Sequence, residues 1–208
     1  MKIGIIGSGQ VGGTLTRRLT QLGHDVAVAN SRGPESLREL AEETGAEPGT
    51  VRSVAEDSEV VILAVPMKAV PELPADAFGS KIVIDATNYY PQRDGIIPDV
   101  ADRSVTSSRW VADMLPGARV VKAFNTIVAP RLMDLGRPVG DERRVALPVA
   151  ADDPEAKRVV MDLVNELGFD PVDAGNLDQS WRQQPDTPVF ATDYDAEGVR
   201  AGLASARP

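Results

Sequence analysis

The 208-residue chain has no cysteine and a single histidine. Without thiols there can be no disulfide, no thiolate nucleophile and no Cys-ligated zinc, and one imidazole makes no histidine cluster for a metal. No metal site and no thiolate nucleophile are therefore expected. Positive charge is also in short supply: 22 Lys and Arg against 31 Asp and Glu give a formal net charge of -9. Nucleic-acid affinity depends on cations that displace counterions, and no basic stripe runs through the sequence, so nucleic acid is excluded as a general partner. Long hydrophobic runs are missing too. The longest, near "VVILAVPM", is too short for a bilayer and ends at a proline, so no membrane partner is expected. The opening "MKIGIIG" reads directly as a strand, with no charged segment, apolar core and cleavage site ahead of it, and the chain is expected to be cytoplasmic.

What is present suits a soluble globular protein, with 42% hydrophobic and 25% charged residues, and the length favours one domain spanning residues 1–208. Any chemistry must come from Asp, Glu, Lys, Arg, Tyr, Asn or a bound cofactor. His24, in "LGHDVAV", reads as the point where a helix hands over to a strand, and a catalytic role is the lesser reading. Seven short apolar runs, "KIGII", "DVAVA", "EVVILAV", "KIVIDA", "ARVVKAF", "RVALPVA" and "DPVDA", alternate with helix-like segments. That alternation predicts an α/β fold, a doubly wound and mostly parallel sheet with helices on both faces.

Between the first two runs, Val11, Leu15, Leu19 and Leu22 fall on one helical face, starting after the third glycine of the opening motif and ending at Gly23. In "DDPEAKRVVMDLVNELG", Asp153 is the expected N-cap, Pro154 the first helical residue and Gly168 the stop, with Val159, Val160, Leu163, Val164 and Leu167 as the buried stripe. "NYYPQRDGIIPDVADRSVTSS" reads as a long loop. The tail from 176 to 208 either folds over the sheet or reaches a neighbouring subunit.

The chemistry concentrates in "GIIGSGQVGG". Gly7, Gly9 and Gly12 sit between a predicted strand and a predicted helix, the setting in which such spacing predicts a dinucleotide site rather than a bare turn. Gly7 permits the turn, Gly9 lets the backbone approach a diphosphate and Gly12 lets the helix pack closely; Ser8, Gln10 and Val11 complete the cofactor-binding stretch. At the end of the second run, "VANSRGP" places Asn30 where NAD-binding chains carry a carboxylate. Ser31 and Arg32 then offer a hydroxyl and a guanidinium fork to a 2'-phosphate, which predicts NADP(H); the plainer reading of these residues is a solvated turn. Ala64, Val65 and Pro66 end one strand at the nicotinamide side, and Asn88, in "DATNYYP", is placed to bond a carboxamide or a substrate carbonyl. Asp85 is read two ways, as a base or as a side chain that bonds backbone N–H groups. Tyr89 and Tyr90 suit packing or dimer contacts as well as substrate stacking.

Taken together, "GSGQVGG", "NSRGP", "LAVP", "DATNYYP", "ARVVKAFNTI" and "LPVAADDPEAKRVVMDLVNELGFDPVDAG" resemble the reductase family that includes coenzyme F420-dependent NADP oxidoreductase. The resemblance runs from Met1 to about Gly175 and implies a Rossmann-type fold. It also implies hydride transfer between NADP(H) and the deazaflavin coenzyme F420, with the two rings stacked in one cleft and the cofactors carrying the chemistry. By that resemblance Ser31 and Arg32 hold the 2'-phosphate, and the loops after Val65 and Ala123 line the acceptor site, making Phe124, Asn125 and Thr126 substrate-binding residues. No catalytic side chain is assigned. A small-molecule electron acceptor and a homodimer are the expected partners. The polar tail departs from the family pattern, which leaves two rivals open. One is an NADPH-dependent reductase of a small carbonyl, imine or flavin, for which Lys122 or Tyr89 could supply a proton. The other is a non-catalytic NADPH sensor that docks through "NYYPQRDG" and the tail.

Overall fold

A computed structural model describes residues 1–207; Pro208, the final residue of the expected domain and tail, lies outside the described residues. Short aliphatic segments form the strands: β1 (Lys2–Ile6), β2 (Asp25–Ala29), β3 (Glu47–Pro48), β4 (Val60–Leu63), β5 (Ile82–Asp85), β6 (Arg119–Lys122), β7 (Ala146–Ala151) and β8 (Asp170–Asp173). They make one sheet in the order β3-β2-β1-β4-β5-β6-β7-β8. Every neighbouring pair is parallel except β6 and β7. The order turns back on itself between β1 and β4, and the crevice over the carboxyl ends of the strands at such a point is where open α/β sheets take ligands. β3 is one strand more than the apolar runs predict. Its two residues pair with Ala27 and Val28 and are exposed, so they leave no hydrophobic pattern to read.

The helices are α1 (Gln10–Gln21), α2 (Arg38–Thr44), α3 (Val51–Asp57), α4 (Pro91–Asp94), α5 (Pro98–Ala101), α6 (Ser107–Met114), α7 (Ala129–Asp134), α8 (Pro154–Glu166) and α9 (Ala196–Ser205). They cover both faces of the sheet, as the alternation predicts. On one face Ile3, Ile5, Val28, Ile84 and Val121 pack against Leu15 and Leu19 of α1 and Val160 and Leu163 of α8. On the other, Ile6, Val61, Leu63 and Val83 pack against Val54 of α3 and Val111 of α6. β4 and β5 are buried along their whole length, which is why they read as continuous apolar runs rather than alternating ones.

Three expectations need correction. α1 begins at Gln10 with Gly9 as its N-cap, so Gly12 lies inside its first turn rather than ahead of it. Leu22 is 39% exposed, because the helix has ended and the side chain leaves the buried stripe. The stretch expected to be a loop after Asn88 holds the short helices α4 and α5 and the start of α6; Pro91 and Pro98 occupy first helical positions, where a missing N–H costs nothing. His24 does lie between α1 and β2.

α8 follows its sequence signals. Asp153 accepts a hydrogen bond from the Ala156 N–H at 2.8 Å, Pro154 opens the helix and Gly168 takes φ +93°. Val160, Leu163, Val164 and Leu167 are buried, although Val159 is only partly so. Replacing Asp153 with alanine removes the cap and is expected to lower unfolding free energy by about 1 kcal/mol, read from the urea midpoint. The tail folds over the sheet: Val189, Val199 and Leu203 pack against Ala146, Ala150, Val172 and Ala174 of the β7–β8 edge and its exit.

Candidate active site

Each glycine of the opening turn meets a different steric demand. Gly7 has φ +110°, and a Cβ there would collide with the Ala64 carbonyl. A Cβ on Gly12 would collide with the Gly7 carbonyl oxygen, so this glycine is what lets α1 descend onto the end of β1. A Cβ on Gly9 would meet nothing within 4 Å: the space in front of the turn is open. No side chain caps α1, and its first N–H groups face that space with the positive end of the helix dipole behind them, a fit for a diphosphate.

Two cavities meet at this point, sharing Gly9, Gln10 and Ala129 in their walls. One, of about 580 Å³, is bounded by Ser8, Arg17, Arg32 and Ser36 among others. The other, of about 450 Å³, takes in Val11, Ala64, Val65, Pro66, Asn88, Phe124, Asn125 and Thr126. Most residues singled out from the sequence thus border two adjoining cavities over the switch point. Gly7 and Gly12 shape the cavities from behind; Asn30 and Ser31 border neither cavity, and Ser31 is exposed.

Asn30 organises the first cavity. Its amide donates to the Ser8 and Ser36 hydroxyls, both at 2.9 Å, and its oxygen accepts from the Arg32 N–H at 2.8 Å. The Asn30 side chain therefore ties the glycine turn to the turn that carries Arg32. The Arg32 guanidinium makes no ion pair among the described residues, whereas Arg17 is held by Glu43 at 2.6 Å, a hydrogen bond that raises the already high Arg17 pKa. Sequence reasoning missed Ser36 and Arg17. Ser36 belongs to a polar segment without periodicity, and Arg17 reads as an ordinary solvated helix position.

At the floor of the second cavity three amides interlock. Asn88 donates to the Asn125 backbone carbonyl at 2.9 Å; the Asn125 amide donates to Asn88 Oδ1 at 3.1 Å and to the Gln183 carbonyl at 2.6 Å. Gln183, from the tail, returns a bond to Asn125 Oδ1 at 3.1 Å. Part of the bonding capacity expected of Asn88 for a ligand is thus committed to Asn125. Phe124 adopts φ +62° while buried, a left-handed conformation that a bulky residue reaches only under constraint and that recurs at functional sites. It swings the chain leaving β6 so that Asn125 enters the amide cluster. The tail adds Phe190 to the cavity wall.

Asp85 and Lys122 form a second polar cluster just beneath. Both side chains are fully buried, 3.0 Å apart. Asp85 also accepts from the Thr87 N–H at 2.9 Å and the Ser108 hydroxyl at 2.8 Å, and Lys122 donates to the Thr87 carbonyl at 2.5 Å. Of the two readings of Asp85, the backbone-bonding one describes its contacts. Burial pushes the Lys122 ammonium below its usual pKa, opposed by the charge and hydrogen bond of Asp85. Neither Lys122 nor Tyr89 borders the cavity; the Tyr89 hydroxyl donates to the Gly95 carbonyl at 3.0 Å. Tyr90 does border it, and burial raises its pKa, so its hydroxyl stays protonated at neutral pH.

Arg93, also missed from sequence, borders the same cavity. Its guanidinium lies 5.1 Å from the Tyr90 ring centroid and is clamped by Asp94. Burial alone would raise the Asp94 pKa, but bonds from Arg93 and from the Tyr90 N–H outweigh it and leave the carboxyl below its ordinary 3.8. A depressed carboxylate pKa stabilises the fold above the unfolded value and stops doing so as the pH falls through the folded one. The difference in thermal midpoint between wild type and Asp94→Asn is accordingly expected to shrink as the pH drops below 3.8.

The fold and cleft define a Rossmann-type dinucleotide-binding protein. The family model described as NADP oxidoreductase, coenzyme F420-dependent, matches residues 2–89. It is 32% identical to a solved structure, the hypothetical protein SMa0349 from Sinorhizobium meliloti, with a TM-score of 0.81 over 93% of this chain and 95% of the other. It is 29% identical to the F420-dependent NADP reductase of Methanocaldococcus jannaschii over 91% of each chain. It is also 31% identical to the metalloreductase STEAP3 of Rattus norvegicus over 85% of this chain. The chain spans half or less of the length of the first curated relatives it matches, 50% of one and 34% of STEAP3. No helix among the described residues is long and apolar enough to cross a membrane.

Proposed function

We propose that this protein transfers a hydride between NADP(H) and the deazaflavin coenzyme F420. The observation that carries the reading is the pair of adjoining cavities that share Gly9, Gln10 and Ala129 in their walls, with room for a nucleotide on one side and a planar acceptor on the other. In this reading the first N–H groups of α1 bind the diphosphate, and Arg32, with the hydroxyls that Asn30 orients, binds the 2'-phosphate. Val65 and Pro66 form an apolar wall for the nicotinamide, and Phe124, Asn125, Thr126 and Phe190 border the acceptor. Bound NADPH supplies the hydride; the chain's task is to hold two rings at reacting distance and keep water out.

A site of this kind needs no protein proton relay, which agrees with Lys122 being sealed away from the cleft. A second reading, reduction of a small carbonyl or imine, is favoured by one observation, the protonated Tyr90 hydroxyl at the cavity wall. Mixing the NADPH-loaded protein with oxidised deazaflavin in a stopped-flow spectrometer separates the two. Loss of the deazaflavin absorbance band is expected; an unchanged band together with turnover of a ketone or imine would reject the deazaflavin in favour of the second reading.

A further inference from the structure

Hydride transfer breaks the C4–H bond of the reduced nicotinamide and forms a C–H bond on the acceptor. One negative charge is thereby left on the acceptor ring until a proton arrives, and one positive charge on the nicotinamide. A water-poor cleft gives that negative charge little help unless a fixed donor faces it.

Arg93 has the features of such a donor. Its Nε bonds Asp94 at 3.0 Å, and its Nη2 bonds Asp94 at 2.8 Å and the Asn88 carbonyl at 2.6 Å. Nη1 has no protein acceptor among the described residues, so two N–H groups of a rigid fork are left over. The Asp94 carboxylate is fully buried, whereas the Arg93 side chain is 42% exposed and borders the cavity that holds Phe124 and Asn125. An arginine serving only as a structural clip for the turn would satisfy itself with Asp94 and Asn88; here the clip fixes the guanidinium and spares one edge of it.

We propose that the spare Nη1 edge of Arg93 contacts the electron acceptor and stabilises the negative charge that hydride arrival places on its ring. This rests on the hydride-transfer reading above. It narrows the acceptor class to planar rings in which a carbonyl is conjugated with the carbon that receives the hydride, because such a carbonyl delivers the charge to an oxygen that the guanidinium can reach.

The test compares wild type with Arg93→Gln and Arg93→Lys in three measurements: the NADPH dissociation constant, the dissociation constants of oxidised and of reduced, anionic deazaflavin, and the single-turnover hydride rate. NADPH affinity is expected to stay unchanged in both variants. Arg93→Gln is expected to weaken the reduced form selectively and to slow the hydride step about ten- to a hundredfold, the worth of one charged hydrogen bond. Arg93→Lys is expected to recover part of the rate, since charge returns without the fork. Equal weakening of both redox forms, or an Arg93→Gln rate within about twofold of wild type, overturns the role of Arg93 and leaves the proposed function standing. If wild type binds neither form of deazaflavin but reduces a ketone or imine, the proposed function falls and the role of Arg93, which rests on it, falls with it. A wild type that binds and reduces none of these overturns both.

Discussion

Lys122→Met is expected to lower the unfolding free energy by about 3–5 kcal/mol, the usual consequence of removing one partner from a buried ion pair. The methionine keeps most of the apolar stem, so the loss is electrostatic. Asp85 would remain fully buried with only the Thr87 N–H and the Ser108 hydroxyl to stabilise its charge, and the Thr87 carbonyl would lose its Lys122 donor. Adding Asp85→Asn removes the stranded charge, and the double variant is expected to regain about half of the lost stability. Guanidinium unfolding measures both through the midpoint at constant slope. A single-variant loss under about 1 kcal/mol would mean that the pair is dispensable. The pair also ties β5 to β6 directly below Thr87 and Asn88, so its removal should loosen the cleft floor as well as the fold.

The second large effect belongs to Arg32. Arg32→Ala is expected to raise the Michaelis constant for NADPH about ten- to a hundredfold while leaving NADH nearly untouched, since a charged hydrogen bond contributes about 1.5–3 kcal/mol. Because Arg32 is exposed, the effect should diminish at high salt. Asn30→Asp is expected to shift preference in the same direction. A carboxylate repels the 2'-phosphate and cannot donate to Ser8 and Ser36 as the amide does. Steady-state kinetics with both cofactors, backed by fluorescence titration, decide the matter; equal losses for NADPH and NADH would remove Arg32 from the phosphate site.

Features fixed by local chemistry could be read from the sequence. Gly7 and Gly12 announce their turn because backbone atoms occupy the space a Cβ would need, and Asp153 with Pro154 announces a helix because cap and first residue act on their own neighbours. Continuous apolar runs identify the strands buried on both faces. Features assembled from distant segments could not be read. β3 is an edge pairing of Glu47 and Pro48 without a hydrophobic signature, and Pro91 and Pro98 read as loop residues because starting a helix and breaking one look alike in isolation. In the cleft, the position of Asn30 was suggestive, but its bonds to Ser8 and Ser36 depend on two turns meeting. Arg93 gave no signal, since its meaning comes from the buried Asp94 behind it and the cavity in front.

The second cavity, unlike the first, takes part of its wall from the tail. The glycine turn, Asn30, Arg32 and Val65 all come from the first 65 residues, on adjacent parallel strands. The opposite side waits for Gln183 to reach Asn125, and the Ala191 N–H must bond the Thr126 carbonyl at 2.9 Å. During synthesis the walls that the glycine turn, Asn30 and Arg32 supply can therefore take shape while the ribosome is still far from those residues, and Asn125 and Thr126 gain their tail partners only once residues 183 and 191 have emerged.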